Sequence, residues 1–175
     1  VARVLLGDIV GRVLKEHNLA ALPRRATFDA DLRPTLVVGD AEKIRTIVDN
    51  LISNAIKYSP RSAAITVTLG SEREFAVLDV LDHGPGIDAD ERERIFDSFY
   101  QGKPPAEGRV KGSGLGLAIA REYAVAHGGR IEVRDRVDQK RGAQFRLLLP
   151  LPIGDAGSAP GQITTAPRTT MAGPA

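Results

Sequence analysis

The chain has no cysteine and no tryptophan among its 175 residues. Without cysteine, neither a disulfide framework nor a thiolate metal site is available. Charge of one sign is also lacking. The formal net charge is +2, although the sequence pI is about 9.1. So small an excess excludes a general nucleic-acid binder. No apolar run approaches the roughly 18 residues of a membrane span, and no leader pattern is visible. The chain starts with Val rather than Met, which suits a piece of a longer protein with any anchor upstream. At this length one domain with a proper core is expected.

Composition shifts once, after "LLLPLP", where Gly, Ala, Pro, Thr and Ser replace large apolar residues. Residues 1–151 are therefore expected to form the domain, and 152–175 a disordered tail. Helical spacing is expected over residues 4–21 (Val4, Leu5, Ile9, Val10, Val13, Leu14). Two extended segments follow, "ATFDADL" and "TLVVG". Asp40 then has the character of an N-cap. Beyond it Ile44, Ile47, Val48, Leu51, Ile52 and Ala55 fall at helical spacing, and Pro60 ends the run. "AAITVTLG" and "EFAVLDVLD" alternate like paired strands. Residues 88–98 read as a short charged helix and 101–112 as a long mobile loop. A helix from about Leu115 to His127 stops at Gly128-Gly129, and "GRIEVRDR" with "GAQFRLLLP" makes a closing hairpin. Clumped strands and helices imply an α+β fold, a mixed β-sheet with helices on one face, rather than a doubly wound nucleotide fold.

Three stretches carry chemistry. In "DNLISNAIKYSP" two asparagines and a lysine share a stripe: at about 100° per residue, Asn54 and Lys57 lie within about 40° of Asn50. The apolar face centres about 120° away, so the stripe runs along its shoulder. Asn is a mediocre helix former. Its amide oxygen suits a hard cation such as Mg²⁺, and a lysine one turn away can meet phosphates. Polar flanks of an ordinary helix have the same pattern. In "EFAVLDVLDHGPGI", Ala76, Leu78, Val80 and Asp82 share one strand face. A carboxylate in that register needs a donor or its burial is costly. An adenine amino group is one such donor; capping of the Gly84-Pro85-Gly86 turn is the alternative. In "GSGLGLAIA", Gly112, Gly114 and Gly116 sit at the mouth of a helix, where exposed N–H groups suit phosphates. A flexible loop would look similar. Walker A and Rossmann spacings both fail here.

In this order the stretches resemble the boxes of sensor histidine kinases. "NLISNAIKYSP" is similar to the N box, "DHGPGI" to the first glycine box, "IFDSFYQG" to the F box and "GSGLGLAIA" to the second glycine box. "GD" before the N-box helix and "HGGRIEV" after the last helix also resemble the family. The likeness covers roughly residues 3–150. It implies an ATP-binding catalytic domain, a two-layer α/β sandwich of Bergerat type shared with gyrase, heat-shock chaperone and mismatch-repair ATPases.

The resemblance implies Asn54 as the Mg²⁺ ligand, with Asn50 and Lys57 near the phosphates and Tyr58 against the base. It implies Asp82 accepting from the adenine amino group, with Gly84, Gly86 and Ile87 shaping that pocket. Gly112, Ser113, Gly114, Leu115, Gly116 and Leu117 would line the phosphates, with Lys111 beside them. Residues 101–112 become an ATP lid anchored by Phe96 and Phe99. Many relatives have a basic residue where Gln101 stands, so a lid cation on the γ-phosphate would be Lys103, Arg109 or Lys111, the last being the first choice. His17, His83 and His127 all lack the context of a phosphoacceptor and are expected to be structural or solvated. The implied acceptor is a histidine on a dimerisation domain outside this chain. The implied partners are that domain and a response regulator. The whole protein would be a homodimer, anchored in the bacterial inner membrane with this domain in the cytoplasm, and would bind no nucleic acid. Two competing readings are a hydrolytic ATPase and an ATP sensor. Hydrolytic relatives place a Glu where Asn50 stands, and Asn cannot act as a general base.

Overall fold

A computed structural model describes residues 1–19, 26–61, 63–106 and 113–154. The expected tail beyond residue 154, the end of the first expected helix at 20–21, and lid residues 107–112 lie outside them.

The chain opens with a strand, not a helix: β1 (Ala2–Leu5) precedes α1 (Leu6–Asn18). Val4 and Leu5 therefore depart from the expected helix. They pair antiparallel with Val37 and Leu36 of β3 (Leu36–Gly39) in a two-stranded sheet. An apolar run this short satisfies either period, and the partner strand decides. Helix α1 buries Val10, Val13 and Leu14 of the predicted stripe together with Leu6, which the spacing did not include, while Ile9 is only partly buried.

Helix α2 (Ala41–Tyr58) begins where expected. The Asp40 carboxylate accepts from the Glu42 and Lys43 amides, and those donors hold its pKa below the usual carboxylate value. Its six buried residues are those read from the spacing. Ser59 leaves the helix in extended geometry ahead of Pro60, as the residue before a proline prefers.

The main sheet has the order β2-β4-β5-β7-β6. Strand β2 (Phe28–Leu32) runs parallel to β4 (Ile65–Glu72), and every other pairing is antiparallel. Strands β5 (Phe75–Leu81) and β7 (Ala143–Pro150) are the central pair, with β6 (Arg130–Asp135) on the edge. The sheet is mixed, as expected. Helix α2 packs against both α1 and α3 (Gly116–Ala126). One apolar cluster joins Ile47, Leu51 and Ile52 of α2 to Leu78 and Val80 of β5 and Leu147 of β7. This makes a two-layer α/β sandwich.

Two motifs outside the chemistry meet in this layer. A Cβ on Gly39 would fall 2.4 Å from His127 Cδ2. The bare glycine thus admits the imidazole, whose Nε2 accepts the Asp40 amide while Nδ1 lies 2.7 Å from the Tyr123 carbonyl. "GD" and "HGG" are two halves of one clasp between the start of α2 and the end of α3.

On the opposite face, Asp79 receives Gln144 Nε2 at 2.9 Å and Arg146 Nε at 2.9 Å, and Arg146 also reaches Glu72. Asp79, Gln144 and Arg146 are mostly buried, whereas Glu72 is exposed. The expected helix at 88–98 is instead a series of turns ending in a 3₁₀ turn at Arg94–Phe96. Phe96 is its one buried anchor, and the neighbouring Ile95 packs against the core only partly. One anchor rewards one turn, not a helix.

Candidate functional site

A cavity of about 270 Å³ lies between α2, the turn after β5, the start of β7 and the mouth of α3. The stripe lines one wall through Asn50, Asn54 and Lys57, and Tyr58 follows. Helix α2 can present them because its buried face holds it in the core. A Cβ on Gly116 would fall 2.9 Å from Asn50 Oδ1, so the second glycine box leaves room for the N-box side chain. Gly86, Ile87, Ser113, Gly114 and Leu117 complete the predicted lining.

Two predicted residues, Gly84 and Leu115, stand elsewhere. Gly84 lies behind the cavity wall, where a Cβ would come 3.0 Å from Tyr58 and 3.2 Å from Asp82 Oδ1; it lines an adjoining open groove. Leu115 caps the α3 start, its amide 3.4 Å from Ser113 Oγ, and is not among the lining residues. Lys111 and Gly112 lie outside the described residues, as does Arg109.

Asp82 is 3% exposed and closes the far wall. Its Oδ1 accepts the Gly84 amide and the Ala143 amide, both at 2.9 Å. Among the described residues, both of its carboxylate hydrogen bonds end on that one oxygen. Burial pushes its pKa above the ordinary 3.8, and the two amides and the Arg136 charge oppose that rise. Burial, then the nearby Asp82 charge, raises the Tyr58 phenol. A buried carboxylate with one oxygen committed to the backbone is suited to recognising a donor group.

Phe96 anchors the F-box turn as expected, but Phe99 does not. Its side chain is 71% exposed. Its backbone turns at φ +67°, a costly conformation for an aromatic residue, and its amide donates to the Gly114 carbonyl at 2.9 Å. Gly114 itself has φ +77°, and a Cβ there would strike the Phe99 backbone at 2.8 Å. The F box is thus tied to the second glycine box through the main chain, and the left-handed turn turns the ring out to solvent.

Sequence reasoning missed several lining residues. Gly102 at the start of the lid is one of them; it lines the cavity beside Gln101 and the candidate lid cation Lys103, whose Nζ lies 3.4 Å from the Gly86 carbonyl and 3.7 Å from Asp88. Ala143 and Phe145 enter from β7; their signal was the glycine before them in "RGAQF". Glu91 also lines the cavity and hydrogen-bonds with the Tyr100 side chain. Each histidine is engaged with protein groups: His17 with Asp49, His83 with Ala64, and His127 as described. No group of three or more His, Cys, Asp or Glu that could hold a metal is present among the described residues. No described helix is long and apolar enough to cross a membrane.

Residues 39–153 match the family model described as histidine kinase-, DNA gyrase B- and HSP90-like ATPase. The sensor protein ChvG of Agrobacterium fabrum is 39% identical over 83% of this chain and 25% of its own length. The signal transduction histidine-protein kinase/phosphatase MprB of Mycobacterium avium is 36% identical over 96% of this chain and 34% of its own. A solved structure of the mycobacterial sensor histidine kinase MprB superposes with a TM-score of 0.75 at 30% identity, over 85% of this chain and 97% of that one. The chain spans about a quarter to a third of the curated relatives it matches. It belongs to the histidine kinase-, DNA gyrase B- and HSP90-like ATPase family, as an ATP-binding catalytic domain of the sensor histidine kinase kind.

Proposed function

We propose that this domain binds Mg-ATP and transfers the γ-phosphoryl group to a histidine on a dimerisation domain, for relay to an aspartate of a response regulator. The observation that carries this reading is the meeting, across one cavity, of the Asn50, Asn54 and Lys57 stripe with the buried carboxylate of Asp82. Asp82 accepts from the adenine amino group, with Tyr58 against the ring. Lys57 and Asn50 bind phosphate oxygens, and the N–H groups at the mouth of α3 cradle them.

The metal fits the residues present on its chemistry. Asn54 offers a neutral amide oxygen, and Mg²⁺ keeps waters and takes its other ligands from phosphates, so no carboxylate cluster is required. When bound, the ion neutralises phosphate charge. The protein's own contribution is positioning and charge complementarity around an in-line transfer. A bond from phosphorus to an imidazole nitrogen forms as the bond to the ADP oxygen breaks.

Hydrolysis is the second reading, and the wall residues argue against it. Asn50 stands where a hydrolytic relative needs a base. Of the described lining residues only Asp82 and Glu91 are carboxylates; the first is buried at the base end and the second is bonded to Tyr100. The whole protein, on this reading, is a homodimer anchored in the inner membrane with this domain on the cytoplasmic side. Calorimetry tests the nucleotide site: Asn54→Ala should lose Mg-dependent ATP affinity, and unchanged affinity would remove Asn54 from the site.

A further inference from the structure

Arg136 is a buried arginine that the nucleotide site does not include. Its side chain is 3% exposed, just beyond β6. A buried guanidinium is costly unless its donors are met. Here they are met on three sides. Nε and Nη2 form a fork on Asp138 at 3.0 and 2.5 Å. Nη1 donates to the Asp82 backbone carbonyl at 3.0 Å and lies 3.4 Å from His83 Nδ1. His83 Nε2 lies 2.8 Å from the Ala64 carbonyl, so Nδ1 is its acceptor, and its amide donates to Ser59 Oγ at the end of α2.

The consequence is positional. The end of β5, the end of α2 and the connection between β6 and β7 converge on one planar cation. A planar fork held on Asp138 has little freedom, so the carbonyl it binds is fixed in place. The packing is tight: a Cβ on Gly142 would fall 2.0 Å from the Asp82 carbonyl oxygen and 3.1 Å from Arg136 Cδ.

We propose that Arg136, locked by Asp138, is a positioning residue for base recognition: it clamps the Asp82 main chain so that the carboxylate meets the adenine amino group. This rests on the reading of Asp82 given above. Arg136 does not line the cavity; it acts through Asp82. Its charge also favours the ionised carboxylate, the form that accepts from an amine. Among the described residues, the other titratable or charged groups facing Asp82 or its cavity are Tyr58 and Lys57 from α2, His83 from the turn, Asp138 behind Arg136, Glu91 and Tyr100 from the segment after β5, and Lys103 from the lid.

The test compares ATP and GTP affinity by calorimetry, across pH, for the unmodified chain and for Arg136→Met, Arg136→Lys, Asp138→Asn and Asp82→Asn. Arg136→Met should bind ATP about tenfold more weakly, the loss expected for one charge-assisted hydrogen bond. Its ATP:GTP preference should narrow, with partial rescue in Arg136→Lys. ATP affinity falls as pH drops and Asp82 protonates; without the neighbouring cation that fall should begin at higher pH. Folded Arg136→Met with unchanged preference and unchanged pH profile would overturn the proposal. Where Arg136→Met does not fold, Asp138→Asn, altered at a partly exposed carboxylate, reads the same preference, and an unchanged ratio there overturns it equally. Asp82→Asn separates the two claims. If it keeps the full ATP preference, the Asp82 reading falls and takes this proposal with it. If it loses the preference while the Arg136 and Asp138 variants keep it, only the clamp falls.

Discussion

Asn50 Oδ1 occupies the space that a Cβ on Gly116 would need, 2.9 Å from where that carbon would sit. The two residues belong to different boxes and different helices. Gly116 is the first residue of α3, where alanine favours the helix by less than the roughly 1 kcal/mol of an interior position. Gly116→Ala should therefore leave thermal stability equal or higher, yet displace the Asn50 amide and weaken ATP binding several-fold. Thermal melts beside calorimetry decide it. A more stable variant with full ATP affinity would remove this contact from the site.

Asp82→Asn separates stability from function at the other wall. Burial raises the native pKa above 3.8, so the ionised carboxylate costs the folded state stability at neutral pH. That cost is absent below the unfolded value and grows as pH rises through the native one. An asparagine oxygen can still accept the Gly84 and Ala143 amides. The nucleotide-free variant should then match or exceed the parent in stability at pH 7, with the difference vanishing towards pH 3.8. It should also bind ATP poorly. Urea titrations at several pH values, with ATP binding measured alongside, check both halves.

The outer sheet face predicts a stability effect without a functional one. Asp79→Ala would strand Gln144 Nε2 and take Arg146 back to Glu72 alone. Losing charge-assisted bonds in a mostly buried network should cost about 2–3 kcal/mol of unfolding free energy. ATP affinity should stay as it was, because none of these residues lines the cavity. Loss of nucleotide binding in a folded variant would mean that the two sheet faces are coupled.

What the sequence disclosed follows from how local each signal is. The α2 spacing and the Asp40 cap are set within a few residues, and both were legible. The wall formed by Asn50, Asn54 and Lys57 was legible because one helix carries it. Val4 and Leu5 were misread because a strand of that length has no period of its own until β3 pairs with it. Phe99 was misread because backbone handedness, not hydrophobicity, aims its ring. Arg136 was invisible: its partner is the main chain of Asp82, 54 residues earlier, and no residue pattern marks a carbonyl.

The lid supplies a comparison between two cations. Lys103 lies against Gly86 and Asp88, at the base end of the cavity. Lys103→Ala should weaken ATP and ADP binding alike. We place the γ-phosphate contact on Lys111, beside the glycine box, so Lys111→Ala should slow phosphoryl transfer more than it weakens ADP binding. Transfer rates beside ADP affinities for both variants distinguish them. The reverse pattern would move the γ-phosphate contact to Lys103.

Transfer and hydrolysis leave the labelled phosphate in different places. The chain is mixed with a separately produced dimerisation domain carrying the acceptor histidine, from the parent protein or from ChvG, and with Mg²⁺ and γ-labelled ATP. Transfer should leave acid-labile label on the acceptor domain and none on His17, His83 or His127, and Asn54→Ala should transfer nothing. Label retained on this chain, or labelled phosphate released with the acceptor left bare, would contradict transfer.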